Sequence, residues 1–269
     1  MMLMQLSNLI ALASAIFSWQ IAVLFLAFYI GLTRRQVHFL FALLSFALGM
    51  MAFCSFMSTS IVQPSAMLYW ERAEHAVHFV TAGIFVHFVV TFMGQSLSLP
   101  AVSSMYVVCV GLGFLAFTPA FLHIGWVRAP GVSPHPVLRP GPLYPLMLWS
   151  FALLLMPAWV LIRQWTRQME RKDEEVESHA EGLEDAEATD GAVELMQSDE
   201  LRLILIGSIA VVTLSWLDLG MAIADVSIPI RLHPLGALLL SILSAIAVGR
   251  RAIHAELERR ELITLLRAR

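Results

Sequence analysis

The stretch YWERAEHAVHFVTAGIFVHFVVTFMG, residues 69–94, carries five ionisable side chains in its first ten positions. After Glu74 the chain holds no Asp, Glu, Lys or Arg until Arg128. Such a run is too long and too apolar for a soluble domain. A backbone crossing ~30 Å of hydrocarbon must satisfy its own hydrogen bonds, which a helix of about 20 residues does. The composition agrees, with 58% hydrophobic residues and only 14% charged, against about 25% charged in soluble domains. The mean hydropathy is +0.75. Residues 1–33, 36–70 and 203–217 are likewise free of Asp, Glu, Lys and Arg.

Working outward from this stretch, the pattern predicts an all-α membrane protein of seven transmembrane helices. The spans are 5–32, 37–59, 69–93, 101–121, 142–163, 202–224 and 231–249. The first lacks a basic leader and outruns the 7–15-residue apolar core of a secretion signal, so it reads as an anchored helix. With the N-terminus outside, thirteen of the seventeen basic residues fall on the inner side or at its edges. Only Arg72, Arg128, Arg139 and Arg231 remain outside. The positive-inside bias therefore predicts N-out and C-in. Residues 1–250 form one membrane unit, and residues 251–269 form a basic exit helix on the inner side.

Three segments interrupt the pattern. The outer loop 122–143 has five Pro and three Gly, which predicts an irregular cap. Inner residues 170–200 hold thirteen of the twenty acidic residues and no aromatic ring, the composition of a solvated linker. Pro157 inside the fifth span removes a backbone bond and predicts a kink. Cys54 and Cys109 both lie in apolar helices and read as packing residues.

At 100° per residue, Glu71, Glu74, His75 and His78 share one face of the third helix, while Trp70 and Arg72 point elsewhere, most simply to headgroups. On the sixth span Asp218 and Asp225 are seven residues apart and again share a face. Asp225 falls level with Glu71, and Asp218 ~10 Å deeper, level with His78. Arg231 and His233 begin the seventh span at the same outer surface. An ionisable group in hydrocarbon costs ~2.5–3.5 kcal/mol or more, so it tends to face the bundle interior. The eight residues Glu71, Glu74, His75, His78, Asp218, Asp225, Arg231 and His233 are thus candidates for an outer-half pocket under the 122–143 cap. Such a pocket suits the polar end of a small or lipid-like ligand, a cation, or a response to acidity.

Other chemistries fit less well. No His, Cys, Asp or Glu spacing matches a metal site, and no HxxxH pair suits a membrane zinc hydrolase. One His pair, His38 with His87, has compatible depth for a haem, but nothing else supports a cofactor. No hydropathy repeat relates two halves as in transporters, and no folded basic patch suits nucleic acid.

The pieces, in order, resemble the N-terminal seven-helix sensory region of bacterial histidine kinases and some diguanylate cyclases. The third helix is similar through its aromatic–Arg start and His-Phe pair, and the fifth through GPLYPLMLWSFALLL, residues 141–155. The sixth is similar through ELRLILIGSIAVVTLSWLDLG, residues 200–220, and the seventh through Pro234-Leu235-Gly236 and its basic exit. The long acidic insert departs from that pattern. The sequence shows no phosphoacceptor hairpin, ATP-binding glycine boxes or cyclase signature, and His254 lacks the surroundings of a phosphoacceptor.

The resemblance implies a non-enzymatic sensor in a bacterial plasma membrane. It would take a small-molecule or lipid ligand and signal through the seventh helix to a separate kinase or cyclase, and a homodimer is compatible with it. The opposing expectation is a membrane enzyme or carrier moving protons or cations through His78 and Asp218, or a structural subunit of a larger complex.

Overall fold

Long uncharged segments fold as helices because no water is present to satisfy an open backbone. The computed structural model describes residues 2–127, 135–148, part of 150–166, 188–223 and 231–268, and it is built almost wholly of such helices. They are α1 (Met2–Phe28), α2 (Gln36–Ser60), α3 (Pro64–Phe92) and α4 (Leu99–Ala116). The described positions between 147 and 166 are helical and are called α5. Two longer helices follow, α6 (Ala188–Ile223) and α7 (His233–Ala268). Among the described residues, five helices are long and apolar enough to cross a membrane: Gln5–Gly31, Gln36–Ser60, Pro64–Phe92, Leu99–Ala116 and His233–His254. The chain is an all-α, multi-pass membrane protein.

Helix ends follow local chemistry. α3 starts at Pro64, five residues before the expected start, because Pro suits the first helical turn and Gln63 is extended before it. α4 stops at Ala116 rather than continuing to 121. Thr118 precedes Pro119, and the residue before a proline is pushed away from helical angles. α1 ends in a π-helical turn, Tyr29–Thr33, followed by Arg34 in the left-handed region at φ 47°. That turn reverses the chain into α2 within two residues.

The cap is more ordered than its prolines suggest. β1 (Leu122–Val127) pairs antiparallel with β2 (His135–Pro140), with Leu122 opposite Pro140 and Val127 opposite His135. Pro136 and Pro140 are four apart, so both missing N–H groups fall on the same edge of the strand, where no ladder bond is lost. Gly141 closes the hairpin on α4. Its N–H donates to the Phe121 carbonyl at 2.8 Å, and a Cβ there would come within 2.1 Å of the Ala120 carbonyl oxygen.

The core is aromatic, with Phe41, Phe79, Phe85, Phe88, Phe92 and Phe121 fully buried. The helices meet through small residues, as membrane bundles do, since without a water-driven term close backbone approach is what remains. A Cβ on Gly236 of α7 would lie 2.8 Å from Val211 Cα of α6, and one on Gly207 of α6 would lie 2.9 Å from Leu240 Cα of α7. Ser18 of α1 and Ser241 of α7 share a buried hydrogen bond of 3.2 Å. α7 runs unbroken past residue 250, so the exit helix is the same rod as the seventh span. Residues 170–187 of the acidic insert, Pro157 and Asp225 lie outside the described residues, while 188–200 form the first turns of α6.

Candidate functional site

Five of the eight candidate residues come together where α3 begins, α6 ends and α7 begins. Arg231, two residues before α7, reaches back to α3. Its Nη2 donates to both Glu71 oxygens at 2.8 and 3.0 Å, and its Nη1 donates to Glu74 Oε2 at 2.9 Å. The spacing of Glu71 and Glu74, one helical turn, lets one planar guanidinium bridge both. Glu74 continues the chain, with Oε1 3.1 Å from His233 Nε2. His233 Nδ1 is 2.8 Å from Asp218 Oδ2 on α6. The order is Glu71, Arg231, Glu74, His233, Asp218.

Asp218 has a second task. Its carboxylate accepts the Leu232 N–H at 2.9 and 2.8 Å and the His233 N–H at 2.7 Å. The first amides of a helix have no partner within it and carry its positive end, so a carboxylate is the matched cap. Pro234 follows at the next position, where no N–H is required. The cap of α7 is therefore supplied by a different helix, α6.

Electrostatics explain why five ionisable groups tolerate this depth. Their side chains are between 8% and 29% exposed. Two carboxylates stand within ion-pair distance of the two ring nitrogens of His233, surroundings that suit a charged imidazole. Three carboxylates then meet two cations and the partial positive charge of a helix start. Glu71 and Glu74 supply the counter-charges that the part-buried Arg231 guanidinium requires. Breaking one member of such a set leaves the others buried and uncompensated, which costs about 3–5 kcal/mol.

The other candidates divide. His75 packs its ring against Phe121 and Tyr144, 5.5 and 5.6 Å between centroids, and so faces the hairpin. His78 is buried one turn below Glu74, within electrostatic range of His75, His233 and Glu74. The imidazole that the structure sets against Asp218 is that of His233, because α7 begins level with Glu74 and brings its own amides to the carboxylate. Asp225 lies outside the described residues.

Arg72 does not reach for headgroups. Its Nε donates to the Leu122 carbonyl at 3.1 Å and pins the hairpin to α3. Trp70 stands edge-on to Phe53, 5.8 Å away. The headgroup assignment missed both, since the Leu122 carbonyl and Phe53 are long-range partners without a local signal.

A wholly apolar groove of about 430 Å³ lies between α2, α3 and α4, lined by Ala73, Ala76, Val77 and Val80 on the flank of α3 away from Arg231. The charged groups face one another. His87, the haem candidate, has both ring nitrogens engaged. The Gln36 amide meets Nε2 at 3.4 Å, and the Tyr106 hydroxyl meets Nδ1 at 3.2 Å. His38 lies instead against Phe25, 6.2 Å between ring centroids.

Compared with known proteins, the chain matches a family model described as the N-terminal 7TM region of histidine kinase, over residues 15–254. No curated protein matches it.

Proposed function

The chain belongs to the family of N-terminal 7TM regions of histidine kinases, a membrane sensory module, and from that premise we propose how this member senses. The ionic relay from Glu71 to Asp218 is a latch on the start of α7. A charged group that enters at this end competes for Arg231 or for the carboxylates and loosens the latch. That group is the polar end of a small or lipid-like ligand, or a cation. Released from α3 and α6, α7 shifts as a rod, and its far end carries the change to a separate kinase or cyclase.

One observation carries this reading. The first amides of α7 are capped from α6 by Asp218, its flanking residues are bound to α3 through Arg231 and His233, and the helix then continues without a break to Ala268. A continuous helix transmits a displacement of its start to its end, where a partner has access.

The orientation that places the latch outside and the α7 terminus inside, in a bacterial plasma membrane with seven spans, rests on the distribution of basic residues. A carrier or enzyme working through His78 and Asp218 gains less support, since Asp218 is committed to the α7 start and to His233.

Hydrogen exchange of the full chain in lipid nanodiscs tests the proposal. In Arg231→Gln, amides 232–236 and amides in the far half of α7 should both exchange faster than in the wild type. Faster exchange confined to 232–236 would make the relay an anchor with no transmitting role.

A further inference from the structure

At the opposite end of the bundle, a second cavity of about 280 Å³ opens where α2 begins, α3 ends and α7 leaves. Its polar lining is Arg35, Gln36, His38, Thr91 and Arg251. Among the described residues, no Asp or Glu lines it. Arg35 is the N-cap of α2 and makes no capping bond with its side chain, so the first amides of α2, at Gln36 and Val37, carry the helix's positive end into the same space. Two arginines and a helix start thus border one cavity.

The neighbours leave that charge in place. The Arg251 guanidinium donates to the Phe92 carbonyl and lies over the Phe92 ring, 4.9 Å from its centre. These contacts aim the side chain without cancelling its charge. Glu200 of α6 is buried and outside the lining. Burial pushes its carboxyl above the usual range against the pull of Arg251, His254 and Arg250.

We propose that this cavity is a binding site for a phosphate-bearing anion, with the headgroup of an anionic membrane lipid as its source. Guanidinium groups and helix starts are the natural partners of phosphate oxygens, and basic pockets between membrane helices take such headgroups. A bound phosphate joins Arg35 at the α1–α2 turn to Arg251 on α7. It thereby fixes α7 at its exit, at the end opposite the latch. The site is independent of the sensing proposal, since its test reads lipid retention rather than motion of α7.

Native mass spectrometry of the full chain, with phosphatidylglycerol and phosphatidylcholine offered together, tests it. The wild type should retain phosphatidylglycerol preferentially. Arg35→Gln should weaken that retention about fivefold, the effect of one arginine near an anionic headgroup, and Arg35→Lys should restore most of it. Arg34→Gln removes an exposed arginine that does not line the cavity, and it should leave retention unchanged. Equal losses in Arg34→Gln and Arg35→Gln would reduce the effect to diffuse surface charge and overturn the site. Equal retention of the two lipids by the wild type would overturn it as well. Stabilisation by inorganic phosphate in phosphatidylcholine nanodiscs, without selective retention of phosphatidylglycerol, would overturn the lipid source in favour of a soluble anion.

Discussion

Asp218 Oδ2 and His233 Nδ1 stand 2.8 Å apart, and the same carboxylate accepts the backbone N–H groups of Leu232 and His233. One side chain of α6 therefore sets both where α7 starts and how its first imidazole is held. This joint fixes the angle at which the last helix leaves the relay.

Asp218→Ala removes a cap and an ion pair together, whereas Asp218→Asn keeps an acceptor for the amides and loses the charge. A lost cap costs about 0.5–2 kcal/mol, and the stranded imidazole adds to it. Thermal unfolding in detergent should rank wild type above Asp218→Asn and Asp218→Asn above Asp218→Ala. Equal melting of all three would show that α7 starts without help from α6.

Arg231 joins two carboxylates of α3, so its contribution should not be separable from theirs. A double-mutant cycle between Arg231→Gln and Glu74→Gln, read by chemical or thermal unfolding, should give a coupling of about 1 kcal/mol or more. The Arg231→Gln single variant should be the less stable of the two, because it strands Glu71 and Glu74 at once. Additive effects would mean that the 2.9 Å contact carries no energy.

The α6–α7 crossing makes a steric prediction independent of charge. Gly236→Ala places a methyl against the Val211 backbone and should destabilise by about 1–3 kcal/mol. Gly249→Ala lies on the same helix with open space around it, and should be neutral or stabilising by up to about 1 kcal/mol. The same unfolding assay compares them. A harmless Gly236→Ala would place the two helices farther apart.

Much of the site was legible because helices convert spacing into geometry. The shared face of Glu71, Glu74, His75 and His78 follows from 100° per residue, and the approach of Arg231 and His233 follows from where the seventh span begins. That these groups close on one another was not legible. It depends on α7 starting level with Glu74, and no residue between 224 and 231 encodes that depth. The cap from Asp218 was hidden for the same reason, since the pattern read the residue by its depth on α6 alone. The hairpin was obscured by its own prolines, which read as irregular until their common edge is seen. Arg72 was assigned to headgroups because its partner, the Leu122 carbonyl, lies fifty residues away.

The central claim is that the latch at one end of α7 governs the position of the other. Spin labels at exposed Leu99, at the start of α4, and exposed Leu257, near the α7 exit, report that distance by pulsed electron resonance in nanodiscs. The buried Cys54 and Cys109 are first replaced by alanine. The account predicts one narrow distance distribution in the wild-type relay and a shifted or broadened one in Arg231→Gln. Superimposable distributions from two folded proteins would contradict it.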